Sequence, residues 1–86
     1  MIEVSLYRNT ISNALCYAYE VDGTSIRVNA PKDKLLSSMR TSLDLSSEIK
    51  IRGAVPAEYG PYPMYRAFSE EEVEGIREQL FARLPT

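Results

Sequence analysis

The chain contains few residues of the types that enzymes use for nucleophilic or acid–base catalysis. It has no histidine, the most common general base at neutral pH. Its serines therefore have no imidazole to activate them, and activation by a lysine would require a desolvated cleft. The lysines instead occur in polar patterns that are typical of helix and strand surfaces. We therefore expect a protein that is not an enzyme.

Cys16 is the only cysteine, so no disulfide can form within the chain. A reactive thiolate needs a nearby cation or a helix N-terminus to lower its pKa. Cys16 instead lies next to Ala18 in a strand-like pattern, on the side opposite Tyr17 and Tyr19. We predict a small, half-buried residue without a catalytic role.

The densest group of acidic residues precedes the last apolar pattern and comprises Glu70, Glu71, Glu72 and Glu74. Consecutive helical residues point about 100° apart, so these carboxylates do not converge on one metal ion. We expect them to stabilise the start of a helix through its dipole. The four glycines are scattered and match no phosphate-binding loop. The sequence therefore predicts neither a metal site nor a cofactor.

Residues 59–65, Tyr-Gly-Pro-Tyr-Pro-Met-Tyr, are the first candidate binding surface. Residues 53–63 have no periodicity, and such a stretch in a small domain is usually functional or a linker. Tyrosine and methionine beside stiff prolines supply contact area at low entropic cost, as in interface hot spots. The alternative is that these side chains only cover the open end of the core. We predict that a protein partner binds through Tyr59, Tyr62, Met64 and Tyr65.

The second candidate surface is the sheet face turned away from the helices. Alternation places Arg27, Lys50 and Arg52 on this face, with Tyr7 among them. A basic sheet face with an aromatic side chain is one way of binding nucleic acid or an acidic partner. Such binding would depend steeply on salt and would be lost on changing both arginines to glutamate. A solvated, mixed-charge face is the competing interpretation, because the charge is diluted by Glu3, Glu20 and Glu48.

The strands that carry these residues follow from alternation and turn chemistry. Asp22-Gly23 separates two alternating apolar patterns and predicts a β-hairpin, because a type I′ turn needs positive φ at both positions. This turn pairs Tyr19 with Ile26 on the apolar face and leaves Ala18 and Arg27 on the other face. A register slip of one residue would destroy that agreement. Further strands are predicted over residues 2–7 and 48–52, with a short edge strand over 64–68.

Two helices complete the predicted elements. The first spans residues 31–43, with proline in its first turn and an apolar stripe at helical spacing. The last begins after Ser69, which forms a capping box with Glu72. Its stripe runs through Val73, Ile76, Leu80, Phe81 and Leu84 until Pro85, and Gly75 suggests a close contact with a neighbouring element.

The order β-β-β-α-β-(β)-α predicts one α+β domain over residues 1–86. We expect a single antiparallel or mixed sheet of four to five strands with both helices packed on one face. A right-handed crossover makes the fourth strand parallel to the first, but the pattern leaves open whether they are neighbours. An open edge of this sheet offers a route to homodimerisation.

Composition limits the setting and the class of protein. The chain is 44% hydrophobic and 26% charged, as in globular domains. It has no apolar run of the length that a membrane span needs, and its first residues lack signal-peptide features. Net charge is +1 over residues 1–68 and −3 over residues 69–86, too little to indicate nucleic acid or a membrane as the main partner. We predict a cytoplasmic, non-catalytic protein-interaction module that acts as an adaptor, an inhibitor or a small subunit.

Overall fold

The computed structural model describes residues 1–59 and 64–82, which form a mixed five-stranded sheet and two helices. The predicted α+β class and the predicted element order are confirmed. In chain order the elements are β1 (Ile2–Asn9), β2 (Leu15–Val21), β3 (Thr24–Ala30), α1 (Leu35–Ser42), β4 (Ile49–Gly53), β5 (Tyr65–Ala67) and α2 (Glu70–Leu80).

The hairpin of β2 and β3 forms in the predicted register. Tyr19 lies opposite Ile26, and Ala18 lies opposite Arg27. The two turn residues, Asp22-Gly23, both have positive φ, at 51° and 79°. These angles match the twist of the flanking strands, as a type I′ turn requires. Local turn chemistry therefore sets which side chains of β2 and β3 face the core.

β1 is the central strand of the sheet, whose order is β3-β2-β1-β4 with β5 also paired to β1. β4 is parallel to β1, as predicted, and the structure places these two strands side by side with Ile2 beside Ile49. β5 is antiparallel to the last residues of β1, with Arg66 opposite Arg8. One edge of β1 is thus shared, first by β4 and then by β5.

The change from β4 to β5 takes place at Leu6. Its carbonyl oxygen accepts the backbone N–H groups of both Ala54 and Phe68, each at 3.2 Å. Gly53 lies at this junction, and a Cβ atom built on it would overlap the carbonyl oxygen of Phe68. Because glycine has no side chain, two chain segments can reach the same point of β1.

Both helices cover one face of the sheet, as predicted. Tyr17 is fully buried beneath α1, and its hydroxyl oxygen lies 2.8 Å from the Ser38 hydroxyl oxygen, so that its polar atom is paired. A 3-10 turn, Lys32–Lys34, leads into α1 within the predicted range. The buried residues between sheet and helices are Val4, Leu6, Tyr17, Tyr19, Leu35, Met39, Leu43, Ile51, Phe68, Val73 and Leu80.

α2 ends earlier than its apolar stripe predicts. Its last residue is Leu80, and the following Phe81 has φ −99° and ψ 5°, which turn the backbone out of the helix. Phe81 is 44% exposed, so its predicted place in the buried stripe is wrong. The predicted end at Leu84 and Pro85 lies outside the described residues. A Cβ atom on Gly75 would meet nothing within 4 Å, so the expected close contact there is also wrong.

The predicted capping box begins α2. The Glu72 backbone N–H donates to the Ser69 hydroxyl at 3.2 Å, and the Ser69 backbone N–H donates to the Glu72 carboxylate at 3.0 Å. The hydrogen bond from Ser69, aided by the nearby Arg8, lowers the pKa of Glu72. Two otherwise unpaired N–H groups are thereby satisfied at the start of the helix.

Replacing Ser69 by alanine should lower the free energy of unfolding by about 1 kcal/mol, because the first turn of α2 loses its side-chain acceptor. Urea unfolding followed by circular dichroism measures this change. Ser69→Thr keeps a hydroxyl acceptor and serves as the matched control, with a smaller loss than Ser69→Ala. Equal stability of the alanine variant and the wild type would show that this cap does not contribute to the fold.

Candidate functional site

A second, smaller apolar layer covers the sheet face opposite the helices. Tyr7, Cys16 and Ala18 are buried on this face, and Tyr59 and Tyr65 pack over them. The rings of Tyr59 and Tyr65 are stacked, with centroids 4.5 Å apart and planes 13° apart. The Tyr7 ring lies 5.7 Å from the first and 5.8 Å from the second, in tilted and edge-on orientations. These three rings, here called the tyrosine layer, fix residues on both sides of residues 60–63 against the sheet.

Tyr7 lies on the predicted sheet face but is fully buried, so its ring is not available to stack on a ligand. The 3-10 turn Ala57–Tyr59 and the strand β5 bring the two covering rings over it. Its hydroxyl donates to the Tyr59 hydroxyl at 3.5 Å. Burial is the main cause that raises the pKa of Tyr7, and the contact with Tyr59 adds to it. Sequence alternation gives the face of a side chain but not what covers it.

Cys16 is fully buried, not half-buried as predicted, because it lies beside Tyr7 beneath the tyrosine layer. Its thiol donates a weak hydrogen bond to the Ala14 carbonyl, at 3.7 Å. Burial raises the pKa of the Cys16 thiol. The neutral form is therefore favoured, as in a structural cysteine.

The structure places three of the four predicted partner-binding residues together. Tyr59, Met64 and Tyr65 are all half-buried, and Tyr62 lies outside the described residues. The rings of Tyr59 and Tyr65 cover Tyr7. These two residues therefore pack over part of the core, which is the alternative to an interface that the sequence left open. Each also keeps part of its surface exposed. The two interpretations of residues 59–65 are therefore compatible for these rings.

An exposed apolar residue beside this segment is absent from the sequence-based prediction. Ile11 is 76% exposed, at the tip of the loop between β1 and β2. Asn9 pairs with Tyr65 in the sheet. The Thr10 backbone N–H donates to the Met64 carbonyl at 2.6 Å, which joins the loop to the start of β5. No site is predicted from the sequence for residues 8–13, which follow the first predicted strand, although an isoleucine among polar residues there was a usable signal.

The loop that carries Ile11 is held by hydrogen bonds. The side-chain carbonyl of Asn9 accepts the backbone N–H groups of Ile11 at 2.9 Å and Ser12 at 3.1 Å. Asn13 adopts a positive φ of 62°, a conformation that asparagine tolerates better than most residues. Ile11 is therefore held on a hydrogen-bonded loop, and the preceding residues Asn9 and Thr10 join this loop to Tyr65 and Met64. We call Ile11, Tyr59, Met64 and Tyr65 the tip patch.

The predicted basic residues do not form an unopposed positive face. Arg27 forms an ion pair with Glu58 at 2.6 Å, and its guanidinium lies 5.0 Å from the centroid of the Tyr59 ring. Hydrogen bonds from its own backbone and from Arg27 lower the pKa of Glu58. Arg52 lies beside Ser5 in the sheet, with their side chains 3.5 Å apart. Lys50 is exposed and lies next to Glu3.

A groove of about 540 Å³ runs along the same sheet face. Its lining includes the small residues Ser5 and Ala18 and residues 56–58. Glu3, Glu20, Glu58 and Arg52 contribute charges of both signs to its lining. This mixed lining is typical of a solvated sheet face, and nucleic-acid binding remains an untested prediction.

Within residues 1–59 and 64–82, no group of three histidine, cysteine, aspartate or glutamate side chains is placed to hold a metal ion. No helix in this part of the chain is long and apolar enough to cross a membrane. Comparison of the chain with protein-family models, with curated proteins and with solved structures found no match.

Proposed function

We propose that this chain is a small, non-catalytic protein-interaction module that binds a protein partner through the tip patch. Its role would be that of an adaptor, an inhibitor or a small subunit of a larger assembly. The observation that carries the proposal is the 76% exposure of Ile11 on a hydrogen-bonded loop beside Met64 and Tyr65. Clustered apolar and aromatic side chains on a protein surface mark contact sites.

The tyrosine layer supports this proposal through its stiffness. Tyr59 and Tyr65 are stacked on each other and rest on the buried Tyr7 ring. Side chains that are already held in place lose little conformational entropy when a partner binds. Tyrosine is also enriched at the centre of protein interfaces, where its ring buries area and its hydroxyl pairs. The tip patch thus combines one projecting aliphatic residue with a preformed aromatic support.

Charge favours a protein partner over nucleic acid. On the sheet face opposite the helices, Arg27 is paired with Glu58 and Lys50 has Glu3 as its neighbour. Few cationic groups of that face are therefore left to release counterions from a phosphate backbone. The cytoplasm is the proposed setting, because one buried cysteine fits a reducing compartment.

Ile11→Glu should reduce partner binding at least tenfold without unfolding the protein. The change places a charge on the exposed Ile11 side of the tip patch, where its desolvation opposes association. The immobilised chain is used to capture partners from an extract of its native host, and captured proteins are identified by mass spectrometry. Affinity for the captured partner is then measured by calorimetry. We expect the free energy of unfolding to change by less than about 0.5 kcal/mol, as for other exposed sites.

Val21→Glu is the matched control. Val21 is also an exposed apolar residue, at 43%, but it adjoins the hairpin turn at the other end of β2. This variant should bind the partner as the wild type does. Equal binding by the Ile11→Glu and Val21→Glu variants would contradict the proposal. A low-salt gel shift that is lost in the Arg27→Glu/Arg52→Glu variant would favour the nucleic-acid alternative.

A further inference from the structure

We propose that two copies of this chain associate through their β3 edges, in an antiparallel pairing centred on Ile26 that joins both sheets into one. This surface adjoins the tip patch at Arg27, whose guanidinium lies over the Tyr59 ring, but its backbone groups are those of β3. The inference rests on the free edge of β3, on the occupied opposite edge, and on the self-complementary sequence of β3 in one register.

β3 presents backbone groups along one free side. Among the described residues its partner strand is β2 alone. Because the turn has two residues, Tyr19 and Ile26 form a hydrogen-bonded pair, and the residues between such pairs direct their N–H and C=O groups away from β2. Those residues are Ser25, Arg27 and Asn29. β3 is seven residues long and contains no proline, and Arg27 is its one charged residue, so little of what commonly protects an edge is present.

The opposite edge of the sheet is occupied. Arg77 of α2 donates from its guanidinium to the Ile51 carbonyl of β4 at 2.9 Å, and the same guanidinium is paired with Glu74. An added strand at β4 would have to displace this side chain. β5, on the same side of the sheet, is only three residues long. The edge available for pairing with another strand is therefore that of β3.

One register of β3 against itself is favoured by charge and by apolar contact. Pairing centred on Ile26 places its side chain opposite its copy and places Ser25 opposite Arg27 of the second copy. The two isoleucines occupy a non-hydrogen-bonded position, where opposing side chains lie closest. Pairing centred on Arg27 would instead oppose two guanidinium groups, which is destabilising.

The Ile26 register also aligns opposite charges across the interface. Arg27 is paired with Glu58 of its own chain, so this alignment requires its guanidinium to share or exchange that partner. Glu20 pairs with Ser25 in the hairpin, so Arg27 of one copy lies in the same cross-strand row as Ser25 and Glu20 of the other. Serine is small enough for the long arginine side chain to reach past it. Glu20 is exposed and forms no ion pair with another described residue. Because antiparallel pairing of two identical strands has two-fold symmetry, the row of Arg27, Ser25 and Glu20 occurs twice in the dimer.

Sedimentation equilibrium over a range of concentrations tests whether the dimer exists. The wild type should show twice the chain mass of 9.7 kDa at high concentration. Ser25→Pro should remain a monomer, because proline removes an outward N–H group while the bonds to β2 stay. Circular dichroism confirms that the variant is folded. A monomeric wild type, or a folded Ser25→Pro variant that still dimerises, overturns the proposal.

Cysteine cross-linking tests the register and does not depend on the proline variant. In a Cys16→Ala background, Ile26→Cys should form a covalent dimer on mild oxidation, because Cα atoms about 4.5 Å apart suit a disulfide. Val28→Cys is the matched control and should form none, since residue 28 then faces residue 24 of the other copy. Cross-linking at residue 28 instead, or at both positions equally, overturns the Ile26 register.

Discussion

Gly53→Ala should lower the free energy of unfolding by roughly 2–3 kcal/mol, the range of an overpacked backbone junction. The added methyl group would overlap the Phe68 carbonyl oxygen. Phe68 cannot simply move away, because its N–H group is bonded to the Leu6 carbonyl that also binds Ala54. The expected result is a lower urea midpoint with an unchanged slope, measured by circular dichroism.

Gly75→Ala provides an internal control with the opposite expected sign. A Cβ atom on Gly75 meets nothing within 4 Å, and residue 75 lies in the interior of α2. Alanine there should stabilise the protein by about 0.5–1 kcal/mol through its higher helix propensity. If both alanine variants shifted stability in the same direction, the junction at Leu6 would not be as tight as described.

Tyr7→Ala should lower the free energy of unfolding by about 3–5 kcal/mol, a large share of the total for a small domain. The ring is fully buried and supports both Tyr59 and Tyr65. Its loss leaves a cavity between the sheet and the tyrosine layer. Urea unfolding measures the effect. A loss below about 1 kcal/mol would mean that Tyr7 behaves as an exposed aromatic residue, which the nucleic-acid alternative requires.

Tyr7→Phe separates the contribution of the hydroxyl to stability from that of the ring. It should cost about 1 kcal/mol or less at neutral pH, because only the long hydrogen bond to Tyr59 is lost. In the folded wild type the pKa of Tyr7 is raised, whereas the unfolded chain ionises near pH 10. The contribution of Tyr7 is therefore complete below about pH 10 and falls as pH rises above it. The stability difference between wild type and Tyr7→Phe should shrink above that pH, and a constant difference would contradict the assigned burial.

The parts of the fold that could be predicted from the sequence are those specified by neighbouring residues. The hairpin register depends on a two-residue turn and on alternation within about seven residues of it. The capping box needs only Ser69 and Glu72, three positions apart. Assignment of Arg27 and Ala18 to the sheet face opposite the helices follows from the same alternation. Each of these features is decided by short-range geometry, which residue types encode directly.

The early end of α2 shows where a local pattern misleads. Phe81 continues the apolar spacing of α2, and the pattern alone assigns it to the core. In the structure the backbone leaves the helical conformation at that residue, and Phe81 is 44% exposed. Periodicity reports which residues would share a face if the helix continued, but not where it stops.

The candidate site depends on contacts between residues far apart in the chain. Tyr7 meets Tyr59 and Tyr65 only because β5 returns to the end of β1 that β4 leaves free. That return requires Gly53, because a side chain at this position would overlap the Phe68 carbonyl oxygen. No pattern in the neighbouring sequence indicates this role. The hydrogen bond that joins the Ile11 loop to Met64, made by Thr10, has the same origin. Alternation could assign Tyr7 to a face of the sheet. Whether other residues cover the Tyr7 ring depends on which distant segments pack on that face, because burial is a property of the assembled chain.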